Sequence, residues 1–295
     1  IEFSIRLSWF LLCRKADIVC AIDLDTILPV WLITSLKRQK RVYDAHELFT
    51  EQKEIITRPV IKKIWDRIAA FAIPRFPAGY TVNDFIAAEL AKRYGVHYAV
   101  IRNMPVYRSL PAQAKPVAPF LLYQGAVNEG RSFETLIPAM KQIPLQLVIC
   151  GTGNFLEQAK ALVKQLGLED KIQFQGPFDP ETLWQLTPTA WLGITLFEAT
   201  GLNQYQSLAN RFFDYIMAGI PQLCVDYPAY KQLNDRYRVA QTVSDTRPDT
   251  LADAINYLLA HPDFYEDLRR NCRFARTILN WEQEAPVLLR FYNQL

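Results

Sequence analysis

The sequence predicts an α/β protein made of two doubly wound parallel sheets, and three observations predict it. Short apolar, β-branched runs alternate with amphipathic helical stretches along the chain. The runs are continuously apolar, as expected of parallel strands buried on both faces. A proline-bearing stretch without periodicity, Tyr107–Pro119 with Pro111, Pro116 and Pro119, divides the alternation into two blocks. With 295 residues and 50% hydrophobic content, the chain has enough apolar material for two cores.

The first block begins with an amphipathic helix over Phe3–Arg14 and a strand over Asp17–Ile22. A helix follows through Ile27, Leu28, Trp31 and Leu32, ending at the basic run Lys37–Lys40. Strand Arg41–Asp44 leads into Ala45-His46-Glu47, and ligands of open α/β sheets bind beyond such carboxyl ends. His46 is therefore a candidate, against a capping or hydrogen-bonding role in a loop. Helix Pro59–Phe71 carries Val60, Ile61, Ile64, Trp65 and Ile68 as one side and Arg58, Lys62, Lys63 and Arg67 as the other. It reads as a surface helix packed on a core, or as a contact with an anionic membrane through its cations and Trp65. Strand Gly79–Val82, a helix from Asn83 as N-cap to Tyr94, and strand Tyr98–Arg102 complete the block.

The second block contains strand Phe120–Gln124, loop Gly125–Ser132, a helix through Phe133 and Met140, strand Leu145–Cys150, loop Gly151-Thr152-Gly153, a helix through Phe155 and Leu166, and strand Ile172–Gln175. Strand Ala190–Leu196 then reaches Glu198, a carboxylate on the cleft side whose bland reading is a solvated loop charge. A polar loop from Asn203 through Gln206 meets a helix with Asn210 as N-cap, and Gly219-Ile220-Pro221 stops it before strand Gln222–Asp226. Three helices, starting at Pro248, at Pro262 and around Trp281, end the chain.

Glycines after three strands, Gly125, Gly151 with Gly153, and Gly176, let backbone N–H groups approach a ligand, and Arg131 offers a fork of donors to a diphosphate. Asp214 lies one turn into its helix. Its two oxygens match the vicinal hydroxyls of a ribose, or it favours the positive end of its own helix. The G-x-G-x-x-G spacing of dinucleotide oxidoreductases is absent. No Ser/His/Asp set, closely paired carboxylates or metal-ligand spacing occurs. A net charge of +3 excludes bulk attraction to nucleic acid. The five cysteines are scattered, as reduced core thiols of a cytoplasmic protein would be.

The run Asn210-Arg-Phe-Phe-Asp-Tyr-Ile-Met-Ala-Gly-Ile-Pro221 resembles the signature of the glycosyltransferase group 1 family (family four), and Asp44-Ala-His-Glu47 is similar to a run in its bacterial members. The resemblance implies two facing Rossmann-like domains (GT-B type) and retaining transfer from a UDP- or GDP-linked sugar to a glycan or lipid-linked acceptor. Neither metal nor cofactor is implied, and peripheral contact with the inner face of a membrane through 59–71 is compatible. By it, residues 1–108 form the acceptor-side domain, 109–119 the linker and 120–280 the nucleotide-sugar domain, with 281–295 crossing back to the first. Asp214 falls where the family has its second acid, usually Glu, and Gln206 where it has its first. Arg131 takes the position of the phosphate-binding Lys, and Ala126 that of the Arg. His46 becomes a contact to donor sugar or acceptor and Glu198 a substitute for the missing first acid. Arg211 or the helix N-terminus at Asn210 compensates for Ala126, and the base sits near Gly176-Pro177-Phe178. Such a domain normally opens with further βα units, so the first domain is expected to lack its beginning. A degenerate nucleotide-binding protein and an epimerase of the same architecture are the competing readings.

Overall fold

The computed structural model describes residues 2–110 and 118–295, so 111–117 of the expected linker lie outside the described residues. Two compact units result. The first comprises 1–103, 200–208 and 284–295, and the second 104–199 and 209–283.

In unit 1, helix α1 (Glu2–Cys13) precedes β1 (Ile18–Ile22), α2 (Asp23–Lys37), β2 (Lys40–Ala45), α3 (Lys53–Ile56), α4 (Pro59–Ala72), β3 (Ala78–Thr81), α5 (Asp84–Tyr94) and β4 (Ala99–Val100). The four strands pair in parallel in that order. A core of Leu24, Ile27, Tyr43, Phe76, Ile86 and Tyr98 holds the helices on the sheet. Asn83 caps α5 as its sequence position demands, accepting from the Ile86 N–H at 2.9 Å. Chain end 284–295 also belongs here, with Tyr80 edge-on to Phe291 at 5.3 Å and Glu284 accepting from the Arg102 N–H at 2.7 Å.

Helix α4 is turned differently from the sequence expectation. Trp65 packs inward, edge-on to Phe49 at 4.9 Å, and Lys62 is ion-paired with Glu51 at 3.4 Å and Asp66 at 3.1 Å. Val60 and Ile64, assigned to the buried side, are exposed beside Lys63 and Arg67. Ala69 and Ala72 are the fully buried residues of the helix, with Trp65 and Ile68 packed partly buried against the core.

Unit 2 contains β5 (Phe120–Gln124), α6 (Phe133–Ala139), β6 (Gln146–Cys150), α7 (Leu156–Leu166), β7 (Ile172–Gly176), α8 (Pro180–Leu186) and β8 (Leu192–Thr195). After α9 (Leu202–Gln206), which lies in unit 1, come α10 (Asn210–Met217), β9 (Gln222–Val225), α11 (Pro228–Tyr237), β10 (Ala240–Val243), α12 (Pro248–Ala260), α13 (Pro262–Ala275) and α14 (Trp281–Asn293), the last returning to unit 1 from Glu284 on. All six strands are parallel, ordered β10-β9-β8-β5-β6-β7. This is the order of doubly wound nucleotide-binding sheets, in which the chain reverses direction between β5 and β8 and leaves a crevice beyond their carboxyl ends.

The Tyr215 hydroxyl sets α10 against this crevice by donating to the Leu122 carbonyl at 2.9 Å and accepting from the Gln124 N–H at 3.2 Å. Gly193 makes room for the ring, since a Cβ there would lie 2.4 Å from it. All five cysteines are free thiols, with Cys150, Cys224 and Cys272 buried and Cys13 exposed. No helix among the described residues is long and apolar enough to cross a membrane.

Candidate functional site

At the switch point of unit 2, the loop after β5 is built against the loop after β6. Gly125 N–H donates to the Cys150 carbonyl at 2.9 Å and Val127 N–H to that of Thr152 at 3.0 Å. Two asparagines lock the pair reciprocally: the Asn154 N–H donates to Asn128 Oδ1 and the Glu129 N–H to Asn154 Oδ1, both at 3.0 Å. A Cβ on Gly151 would lie 1.8 Å from the Gly125 carbonyl oxygen, and one on Gly153 2.3 Å from that of Val127. These glycines, expected to admit a ligand, serve backbone against backbone. Gly125 (φ 117°) does face the site, because Arg211 comes within 3.9 Å of where its Cβ would be.

Arg211 is 8% exposed. Its guanidinium lies 4.4 Å from the Tyr123 ring centroid and 5.2 Å from that of Phe197, and its buried Nη1 has no hydrogen-bond partner among the described residues. Buried Ser132 Oγ is likewise unpartnered, and Ser132 adopts a left-handed φ of 59° just before α6. Arg131 lies 4.4 Å from the centroid of the same Phe197 ring, so Phe197 connects the two cations. The Glu198 N–H donates to the Gly130 carbonyl at 3.0 Å, tying the loops after β5 and β8 together. The structure thus brings Gly125, Arg131, Glu198 and Arg211 to one crevice.

Asp214, one turn along α10, accepts from Gln124 Nε2 at 3.2 Å, and Gln124 Oε1 in turn accepts from the Thr187 hydroxyl at 2.8 Å. Burial pushes Asp214 up to about 6 despite the Gln124 hydrogen bond and the Arg211 charge. It lines a cavity of about 270 Å³ with Gln124, Thr187, Trp184, Leu183 and Met217. Sequence reasoning missed Gln124, Thr187 and Trp184. The polar residue closing the apolar run Phe120–Tyr123 was a usable signal for Gln124, whereas α8 has too little periodicity to expose the other two.

Asn210 is not the N-cap. It is the first residue of α10 and exposed, Ala209 precedes it, and the Tyr230 hydroxyl accepts from the Ala209 N–H at 2.9 Å. Phe178 packs on the cluster of Leu122, Tyr215 and Ile220, as do Leu183 and Trp184 of the cavity lining, without lining the cavity itself. Gln206 lies in unit 1, where its carbonyl accepts from Asn83 Nδ2 at 2.8 Å. Also in unit 1, His46 is exposed at the carboxyl end of β2, its Nε2 3.1 Å from Asp44 Oδ2. Among the described residues no group of three or more His, Cys, Asp and Glu could hold a metal ion.

The family described as "Glycosyl transferases group 1" matches residues 111–274, more than half of the chain. The chain belongs to this family. Similar solved structures include HepE of Anabaena, in complex with UDP, at 14% identity over 100% of this chain and 82% of that one, with a TM-score of 0.81. Sucrose-phosphate synthase from Thermosynechococcus elongatus is 19% identical over 99% and 77% of the two chains, with a TM-score of 0.83. A glycosyltransferase from Rickettsia africae is 12% identical over 99% and 80%, with a TM-score of 0.77. No curated protein matches the chain. The fold is that of the two-domain GT-B glycosyltransferases.

The chemistry of Asp214 yields a prediction on stability. Its native proton affinity exceeds that of the unfolded chain, whose carboxyl titrates near 3.8, so stability falls as pH rises from about 4 to about 6 and the penalty is complete above that. Asp214→Asn removes the penalty, on the order of 2 kcal/mol. The melting temperature of the variant should exceed that of the parent by several degrees at pH 7.5 and by little at pH 4.5. Equal differences at both pH values would refute the assignment.

Proposed function

We propose that the chain transfers a sugar from a nucleotide-sugar donor to a glycan or lipid-linked acceptor, with retention of configuration. One observation carries this reading: a buried Arg211 guanidinium, its Nη1 without a hydrogen-bond partner among the described residues, beside the Gly125 loop at the switch point of a nucleotide-binding sheet. A buried cation with an unmatched donor is costly, and a diphosphate supplies two negative groups that match its fork. Asp214, lining a cavity large enough for part of a nucleoside, takes the ribose hydroxyls. Arg131 and Arg211 stabilise the diphosphate as the bond from sugar C1 to phosphate oxygen breaks, and the acceptor oxygen bonds to that carbon while its proton leaves with the phosphate. Glu198 of unit 2 is assigned to hydroxyls of the donor sugar, and His46 of unit 1, separately, to a hydroxyl of the acceptor. HepE has been solved with UDP-glucose and with UDP and glucose, which supports a uridine donor as the first to try.

The test is a thermal-shift panel of UDP-, GDP- and ADP-sugars, followed by turnover with the one that stabilises. No stabilisation by any of them sinks the reading. Stabilisation without turnover on any acceptor favours the degenerate nucleotide-binding protein. Contact with an anionic membrane through 59–71 belongs to the same reading, using Val60, Ile64, Lys63 and Arg67. Lys63→Glu with Arg67→Glu should release the protein from anionic vesicles in co-sedimentation, while Lys62→Glu, already ion-paired, should matter less. Equal pelleting of all three with neutral vesicles would refute the electrostatic contact.

A further inference from the structure

Around His46 the structure holds more than a histidine in a loop. Asp44, the fifth residue of β2 and 9% exposed, lies 3.1 Å from His46 Nε2. Asp23, the first residue after β1, accepts from the His46 backbone N–H at 3.1 Å. It does so from a left-handed backbone with φ 54°, a conformation that a non-glycine residue keeps only where the surroundings demand it. Glu47 is hydrogen-bonded on its other side, accepting from Asn203 Nδ2 at 2.8 Å and from Gln52 Nε2.

We propose that Asp44 and Asp23 are positioning residues for His46, holding its Nε2 inward and leaving Nδ1 of the protonated ring to donate a hydrogen bond to a hydroxyl oxygen of the acceptor. An ionised carboxylate only accepts hydrogen bonds, so the proton between Asp44 and the ring belongs to Nε2. Asp23 fixes the main chain from which the ring is hung, so that ring rotation and loop displacement are both restrained. The charged groups facing the imidazole are Asp44 from β2, Asp23 from the start of α2 and Glu47 from the loop itself. The Asp44 hydrogen bond leads in raising the imidazole above its ordinary value, against its partial burial. Burial, reinforced by the Glu47 charge, pushes Asp23 up to about 6. His46 therefore keeps its Nδ1 proton to higher pH than a free histidine. The same three acids repel a phosphate or carboxylate, which leaves an uncharged hydroxyl as the group this histidine selects.

The inference rests on the glycosyltransferase reading only for the identity of the hydroxyl, and the experiment separates the two. Imidazole proton–nitrogen NMR spectra of the full chain, which has three histidines, give the tautomer and titration midpoint of His46 directly. The expected result is an Nε2–H tautomer in the neutral parent and a midpoint lowered by roughly one pH unit in Asp44→Asn. Turnover should fall roughly 10-fold or more in Asp44→Asn, with the KM for donor within about twofold of the parent. The alkaline limb of its pH profile should move down with the midpoint, which a merely structural role of Asp44 would not produce. An Nδ1–H tautomer in the parent, or an unmoved midpoint in a folded Asp44→Asn, overturns the proposal. If the tautomer is as expected while no nucleotide sugar binds, the positioning stands and the transferase reading falls.

Discussion

Arg211→Gln is expected to weaken binding of the nucleotide diphosphate by roughly 100-fold while leaving the unliganded fold as stable as before. The two halves of this expectation have separate causes. A hydrogen bond to a charged group contributes about 1.5–3 kcal/mol, and the Arg211 fork can make two to a diphosphate. In the unliganded protein the same guanidinium is buried with Nη1 unpartnered, so its removal relieves a desolvation cost that offsets the lost stacking on Tyr123. Titration calorimetry with UDP and GDP, beside thermal melts of the free proteins, measures both. A variant that binds as tightly as the parent places the diphosphate elsewhere. Arg131→Gln should lose less, because Arg131 is only partly buried and interacts in a wetter setting.

Gly151→Ala is expected to cost more stability than any other single substitution discussed here, more than about 4 kcal/mol, with a fall in melting temperature on the order of 10 °C. Two independent obstacles coincide. Its φ of 156° lies at the edge of what a side-chain-bearing residue adopts, and its Cβ would fall 1.8 Å from the Gly125 carbonyl oxygen, a backbone atom with no rotamer to change. Relief requires the two loops to part, which moves Gly125 away from Arg211, so nucleotide binding should fail together with stability. Gly167→Ala is the control. Its φ of 64° is also left-handed, but no atom lies within 4 Å of the added carbon, so it should cost only about 1–2 kcal/mol and leave binding intact. Similar melting temperatures for the two variants would show that the loop contact is not tight in solution.

The sequence by itself determined the α/β class, the cap at Asn83, most strands to within a residue or two, and the acid of α10. Each follows from patterns that act within a few residues: apolar period, cap chemistry, glycine and proline stops. Where that local signal is thin the elements were not legible. Helix α11 buries only Ala229, Tyr230 and Leu233, and β10 is four residues. The orientation of α4 was illegible for the opposite reason, since apolar residues occur on more than one of its sides and only neighbours such as Phe49 and Glu51 choose between them.

Only the tertiary structure decided what makes a site. The strand order that sets β5 beside β8 brings Arg131, Glu198 and Arg211 together from segments far apart in the chain, and long-range pairing leaves no periodic trace in sequence. Residues 200–208, continuous in sequence with the signature of α10, group with unit 1 because Leu202 packs on its core and Asn203 accepts from the Leu48 N–H. The burial that leaves Arg211 Nη1 without a hydrogen-bond partner among the described residues and raises Asp214 is a property of the folded surroundings. A residue's type states the charge it can carry, but the dielectric and the donors around it decide what holding that charge costs.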